Sequence, residues 1–171
     1  MLKKVISGGQ TGVARAGLDA ALNAGFPVGG FCPKGRKAED GIIPEIYPLE
    51  EIPSSSYFTR TEQNVIGSDG TLIVTRGDLS GGTIYTREYS FKHSRPYLIV
   101  QFDPDNRRIE PPDVIRWLQG QQITVLNIAG PRESRYPEGI YEEAYQYLNK
   151  VFTLLKETYQ WQPYLNWRQP S

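Results

Sequence analysis

The run SGGQTGVARAGLDAAL begins at Ser7 and sets Gly8, Gly9 and Gly12 around Gln10 and Thr11, directly after the apolar pair Val5-Ile6. A glycine turn between a strand and a helix presents unpaired backbone N–H groups at the positive end of the helix dipole, which suits an anion. Gly8 and Gly9 are read here as allowing positive φ and close ligand approach, and Thr11 as capping the helix and offering its hydroxyl. The spacing matches neither G-x-G-x-x-G nor the lysine-bearing phosphate loop. Where an ordinary dinucleotide site expects an acidic residue after the second strand, the chain has Cys32-Pro33-Lys34. NAD binding of the usual kind is therefore not expected.

Two further loops carry the same chemistry. Gly81, Gly82 and Thr83 follow the apolar run TLIVT, and Gly130, Pro131 and Arg132 follow ITVLNIAG. In an open α/β sheet such strand ends share one edge, where ligands bind. Three glycine turns converging there predict a pocket for a phosphorylated or otherwise anionic small molecule. Lys34 and Arg36 after strand two, and Arg132 after the last strand, are candidates to clamp it, arginine being suited to two-pronged phosphate contact. Arg15 is expected to pair with Asp19 on the outer face of the first helix.

The elements that position these loops alternate. Apolar, β-branched runs occur at Val5-Ile6, from Phe26, from Thr71, from Pro96 and from Ile123, with helical periodicity between them. That alternation predicts βαβ units and an open, mainly parallel sheet with helices on both faces. The first helix shows Val13, Ala16, Gly17, Ala20, Ala21 and Ala24 on one face, small enough to lie close to the sheet, and Gly25 and Pro27 end it. Further helices are expected over YFTRTEQNVIG, from Gly82-Thr83, over PPDVIRWLQGQ, and from Pro137 with Ile140, Ala144, Tyr147, Leu148, Val151, Leu154 and Leu155 as its apolar stripe. Residues 34–56 show no period, and a loop that long in a compact domain is usually functional or disordered. The aromatic segment 161–171, with two tryptophans and a tyrosine, is expected to dock on the chain or a partner.

A chain of 171 residues fits one domain, 1–171, and its 39% hydrophobic and 22% charged content is ordinary for a globular protein. Nineteen basic residues balance 19 acidic ones, so no global field draws it to nucleic acid or membrane. The run before Gly8 is too short for a signal segment, nothing approaches a membrane span, and a single cysteine fits a reducing cytoplasm.

Five blocks in order, SGGQTGVARAGLDAAL, FCPKGRKAEDG-IIPEIYPL, YFTRTEQNVIGSDGTLIV, GGT and LNIAGPRES-RYPEGIY, resemble the molybdenum-cofactor carrier family from Lys3 to about Leu155. The resemblance implies a Rossmann-like fold related to lysine-decarboxylase-like phosphoribohydrolases and the DNA-processing protein DprA. It also implies a homo-oligomer (dimer or tetramer) that binds and protects molybdenum cofactor, or molybdopterin without metal, as a carrier or store, with molybdoenzymes as partners. It marks Arg60, Thr61 and Asn64 as a site block. One position departs: the family's G-G-Q-T-G-V-D-R has Ala14 in place of aspartate, removing a carboxylate that would meet a ligand hydroxyl or amine.

The phosphoribohydrolase relatives carry P-G-G-x-G-T-x-x-E, whose glutamate serves N-glycosidic hydrolysis; the corresponding position here is Thr86. If the chain is an enzyme, Glu62 or Asp69 would supply acid–base chemistry, with Glu39 and Asp40 as other carboxylates. A nucleotide or nucleoside-phosphate hydrolase or transferase, and a nucleotide-sensing module, are the alternatives to a carrier. His93, the sole histidine, sits at an expected helix end, no His/Cys cluster has metal-ligand spacing, and Cys32 is read as a small buried thiol.

Overall fold

The computed structural model describes residues 1–165, with side chains as far as Gln160. In chain order the elements are β1 (Lys4–Ile6), α1 (Val13–Asn23), β2 (Val28–Gly29), β3 (Phe31–Cys32), β4 (Lys37–Ala38), β5 (Gly41–Ile42), β6 (Glu50–Glu51) and α2 (Tyr57–Ile66). There follow β7 (Gly70–Thr75), α3 (Gly82–Lys92), β8 (Tyr97–Gln101), α4 (Pro111–Gly120), β9 (Val125–Ala129), a 3-10 turn over Glu133–Arg135, and α5 (Tyr141–Leu165).

Five strands form one parallel sheet in the order β2-β1-β9-β7-β8. The last strand of the chain is thus the central one. Numbered with β9 first, the order becomes 3-2-1-4-5, that of a doubly wound sheet. Helices α1, α4 and α5 pack together as one layer, and α2 packs on α3 as another, as the α/β Rossmann-like reading requires. A side chain at Gly17 would meet Ile128 Cγ2 at 2.6 Å, so the small-residue face of α1 is what lets it lie against β9. Phe26 and Phe152, with ring centroids 5.7 Å apart, fill the space between the start of β2 and α5.

The run from Phe26 breaks into two pieces. Gly30, with φ of 125°, turns the chain out of the main sheet, so β3 pairs with β6 instead. The aperiodic segment 34–56 is built by side chains rather than by period. Arg36, itself at φ 51°, donates to the carbonyls of Ile43, Pro44, Tyr47 and Leu49 at 2.9–3.1 Å. Tyr47 and Tyr141 both donate to Asp19 at 2.6 Å, joining this segment to α1 and α5. Asp19 is occupied by those tyrosines, and Arg15 instead pairs with Asp40 and donates to Gly9 O at 2.9 Å. The last helix starts at Tyr141 rather than Pro137, because Glu133 reaches back to accept from the N–H groups of Ile140 and Tyr141 at 2.9 and 2.7 Å. Helix α5 runs on to Leu165; docking of the aromatic tail side chains lies outside the described residues.

Candidate functional site: a cationic cleft at the sheet edge

Beyond the carboxyl ends of β1 and β9, between the first turns of α2 and α3, lies a cleft of about 550 Å³. Its size suits a small-molecule ligand. From β1 and α1 come Ser7, Gly8, Gln10 and Ala14; from the β9 loop come Gly130, Pro131, Arg132 and Arg135. Helix α2 contributes Tyr57, Phe58, Arg60, Thr61 and Asn64, and the entry to α3 contributes Ser80, Gly81, Gly82, Thr83 and Tyr85. Three arginines line it and, among the described residues, no aspartate or glutamate does.

Arg60 is the most telling group. Its Nε is buried with no hydrogen-bond acceptor among the described residues, and no carboxylate among them forms a salt bridge with it. Burial pushes its pKa below the ordinary arginine value, which the nearby Tyr57 and Cys32 only partly offset. Its guanidinium carbon lies 5.6 Å from the centre of the Tyr57 ring, a cation–π contact. Gly8 owes its identity to this arginine, because a Cβ there would collide with the guanidinium. A buried cation without a counter-charge costs free energy unless an anion joins it.

The entry to α3 is the second anion-seeking feature. Gly81 caps the helix with no side-chain hydrogen bond, and the N–H groups of Gly81 and Gly82 meet no acceptor among the described residues. Around both glycines a side chain would meet only open space, so a ligand can approach the backbone there. Arg135 holds this turn by donating from Nε to Ser80 Oγ at 3.1 Å. Arg132, with 62% of its side chain exposed, makes one ion-pair contact among the described residues, 3.7 Å to Glu39.

The first glycine loop proves to be mostly wall. Gly9 has φ of 75° and packs on Leu49 and Ile43, not on the cleft. Gly12 is pressed on Pro131 and Arg132, and Val13 N donates to Pro131 O at 3.1 Å, so that end of α1 is already occupied. Thr11 does not cap α1; its hydroxyl donates to Glu39 and accepts from Glu133 N at 3.2 Å. Gln10 accepts from Thr11 N and Glu39 N at 3.0 and 2.9 Å. Glu39 also accepts from Ser134 N at 3.0 Å, and although burial pushes its pKa up, the Ser134 and Thr11 hydrogen bonds hold it below the usual carboxylate range. Gly130 clears Val13 and the Val74 carbonyl, a packing role.

The basic segment after strand two does not reach the cleft: Arg36 is the loop hub and Lys34 stands exposed away from it. Asn64 lines the cleft but is spent on β3, exchanging hydrogen bonds with Phe31 N and O, both 2.9 Å. Neither expected carboxylate comes to the cleft. Glu62 is held by Lys92 and by His93, both at 2.8 Å, which keep it below the usual range. Asp69 stands at the amino end of β7, the opposite sheet edge, accepting from Thr124 N, Thr124 Oγ1 and Val125 N at 2.7–2.9 Å. Cys32 is fully buried and its thiol pKa is raised, chiefly by desolvation. No cluster of three His, Cys, Asp or Glu suited to a metal exists among the described residues. The sequence reading missed Tyr57, Phe58, Tyr85, Arg135 and Asn127, whose only signal was proximity to the helix entries and the last strand.

A family model described as "Circularly permutated YpsA SLOG family" matches residues 5–152. The chain belongs to this family. The description accords with the sheet, since moving β9 and α5 to the front restores a 3-2-1-4-5 order. A crystal structure from Syntrophus aciditrophicus SB, named "Putative molybdenum carrier protein", is 46% identical, with a TM-score of 0.78 over 88% of this chain and 94% of that one. No match was found among curated proteins. Ala14 lines the cleft at the first turn of α1.

Proposed function

We propose that the chain binds a phosphorylated small molecule in this cleft and acts as its carrier or store, with molybdopterin, with or without metal, as the ligand. The observation that carries this reading is a cleft lined by three arginines and no described carboxylate, one of them, Arg60, being half-buried with its Nε buried and unpartnered among the described residues. Arg60 and the open α3 entry would hold the phosphate, and Arg132 and Arg135 would screen its remaining charge. Among the described residues no cysteine or histidine lines the cleft, so any metal would travel on the ligand's own donor atoms. The name of the Syntrophus protein favours this cargo. Molybdoenzymes as recipients, a homo-oligomer and a cytoplasmic location follow as parts of the same proposal.

A phosphoribohydrolase reading lacks its tool, because Thr86 and Ala14 stand where carboxylates would act. General acid–base help is typically worth 10²–10⁴-fold. The test combines three measurements on purified protein: released-pterin fluorescence with molybdenum content, calorimetry with inorganic phosphate, and base release from nucleoside monophosphates. Native protein should bind phosphate, and Arg60→Met should lose at least about tenfold in affinity, ~1.4 kcal/mol, while melting no lower in the absence of ligand. Undiminished phosphate affinity in Arg60→Met, or steady base release by the native chain, would overturn the proposal.

A further inference from the structure

The cleft carries more apolar surface than an anion needs. Phe58, on the first turn of α2, is 50% exposed, and Tyr85, on the first turn of α3, is 38% exposed. Both line the cleft, and their rings meet edge to face with centroids 4.5 Å apart and planes at 80°. Neither belongs to the hydrophobic core, so burial among the described residues does not explain them. An edge-to-face contact occupies one face of one ring, and the exposure of both leaves ring surface on which a flat partner can stack.

Their placement relative to the cation is given by the cavity they share: Phe58 and Arg60 both lie in the first turn of α2 and both line the cleft, although residues two apart on a helix do not project from one face. A group held at Arg60 therefore occupies the cavity that the Phe58–Tyr85 pair also lines. We infer that this pair is the recognition platform for a planar heteroaromatic ring, so that the cleft selects ligands in which such a ring is joined to a phosphate. The inference rests on the anion reading of the same cleft and adds the residues that choose among phosphorylated ligands. Stacking of a base on an aromatic side chain is sequence-tolerant and contributes substantially to affinity. A purine and a pterin share the required chemistry.

Calorimetry on the full chain separates the possibilities with four probes: inorganic phosphate, ribose 5-phosphate, guanosine monophosphate and a phosphorylated pterin. The native protein should bind at least one ring-bearing probe about tenfold or more tighter than ribose 5-phosphate. Phe58→Ala should erase most of that difference while leaving ribose 5-phosphate within about twofold, and Phe58→Trp should restore it. Whichever of purine and pterin binds more tightly identifies the ring. Ring-bearing and ring-free probes bound alike by native protein, or a ring preference untouched in both Phe58→Ala and Tyr85→Ala, would sink the platform and leave the anion site standing. Failure of the native chain to bind any of the four would remove both.

Discussion

At the scale of single residues, the glycines of the first loop serve different neighbours. Gly8 makes room for Arg60, Gly12 for the β9 loop, and Gly9 for Ile43 and Leu49. Only the first of these bears directly on the cleft. Gly9 combines φ of 75° with a space where a Cβ would lie 2.5 Å from Leu49 Cδ1 and 3.0 Å from Ile43 Cδ1. A β-branched residue there meets both backbone strain and a clash, together costing on the order of 2 kcal/mol or more. Gly9→Val should therefore lower the melting temperature by roughly 4–8 °C, given about 2–4 °C per kcal/mol for a domain of this size. Phosphate affinity in the folded variant should stay within about threefold. A variant with native melting but lost affinity would return Gly9 to the ligand.

At the scale of elements, the sequence disclosed type far better than partner. The helices over 57–66, 82–92 and 111–120 were legible because their period and proline or glycine punctuation are local properties. The segment 34–56 was not, because its order comes from Arg36 collecting four carbonyls and from Asp19 accepting two tyrosines, contacts between residues with no common period. The cleft was legible as three converging loops, but its cations only in part: Arg60 and Arg132 were named and line it, Arg135 was not, and Lys34 and Arg36 looked as available as any of them. Asp69 illustrates the same limit, since its carboxylate ties the turn before β9 to the start of β7. Burial raises its pKa, but hydrogen bonds from Thr124 and Val125 outweigh this and leave it below the usual aspartate range. A depressed carboxylate contributes stability above its unfolded pKa and loses it as pH falls through the lower folded value. Asp69→Asn should accordingly be less stable than native at pH 7, with the gap closing in denaturant titrations as pH falls from the ordinary aspartate range through the lower folded value. A gap that persists undiminished in acid would mean that the charge is not what Asp69 contributes.

At the scale of the whole molecule, the chain places its last strand at the centre of the sheet, so β1, β7 and their helices have no complete core until β9 arrives. Leu126, Asn127 and Ile128 of that strand are buried, and β9 stands between β1, paired over Val125–Asn127, and β7, paired over Leu126–Ala129. Permutation of a doubly wound order demands that the joined ends lie near each other in the fold. Leu2 N donates to Tyr159 Oη at 2.8 Å, so the start of the chain rests on the last turns of α5. The turn between α4 and β9 is a suitable place for a new beginning: Gln121 and Gln122 are exposed, and Gln122 already sits at φ 55°. A chain starting at Gln122, with the present C-terminal segment joined to Met1 through a short Gly/Ser linker, would present its strands in 3-2-1-4-5 order. It should fold to the same sheet, match the native far-UV circular dichroism, and bind inorganic phosphate within about threefold, because every cleft residue keeps its element. A permutant that folds but loses phosphate binding would mean that the native connections, and not the elements alone, hold the cleft in shape.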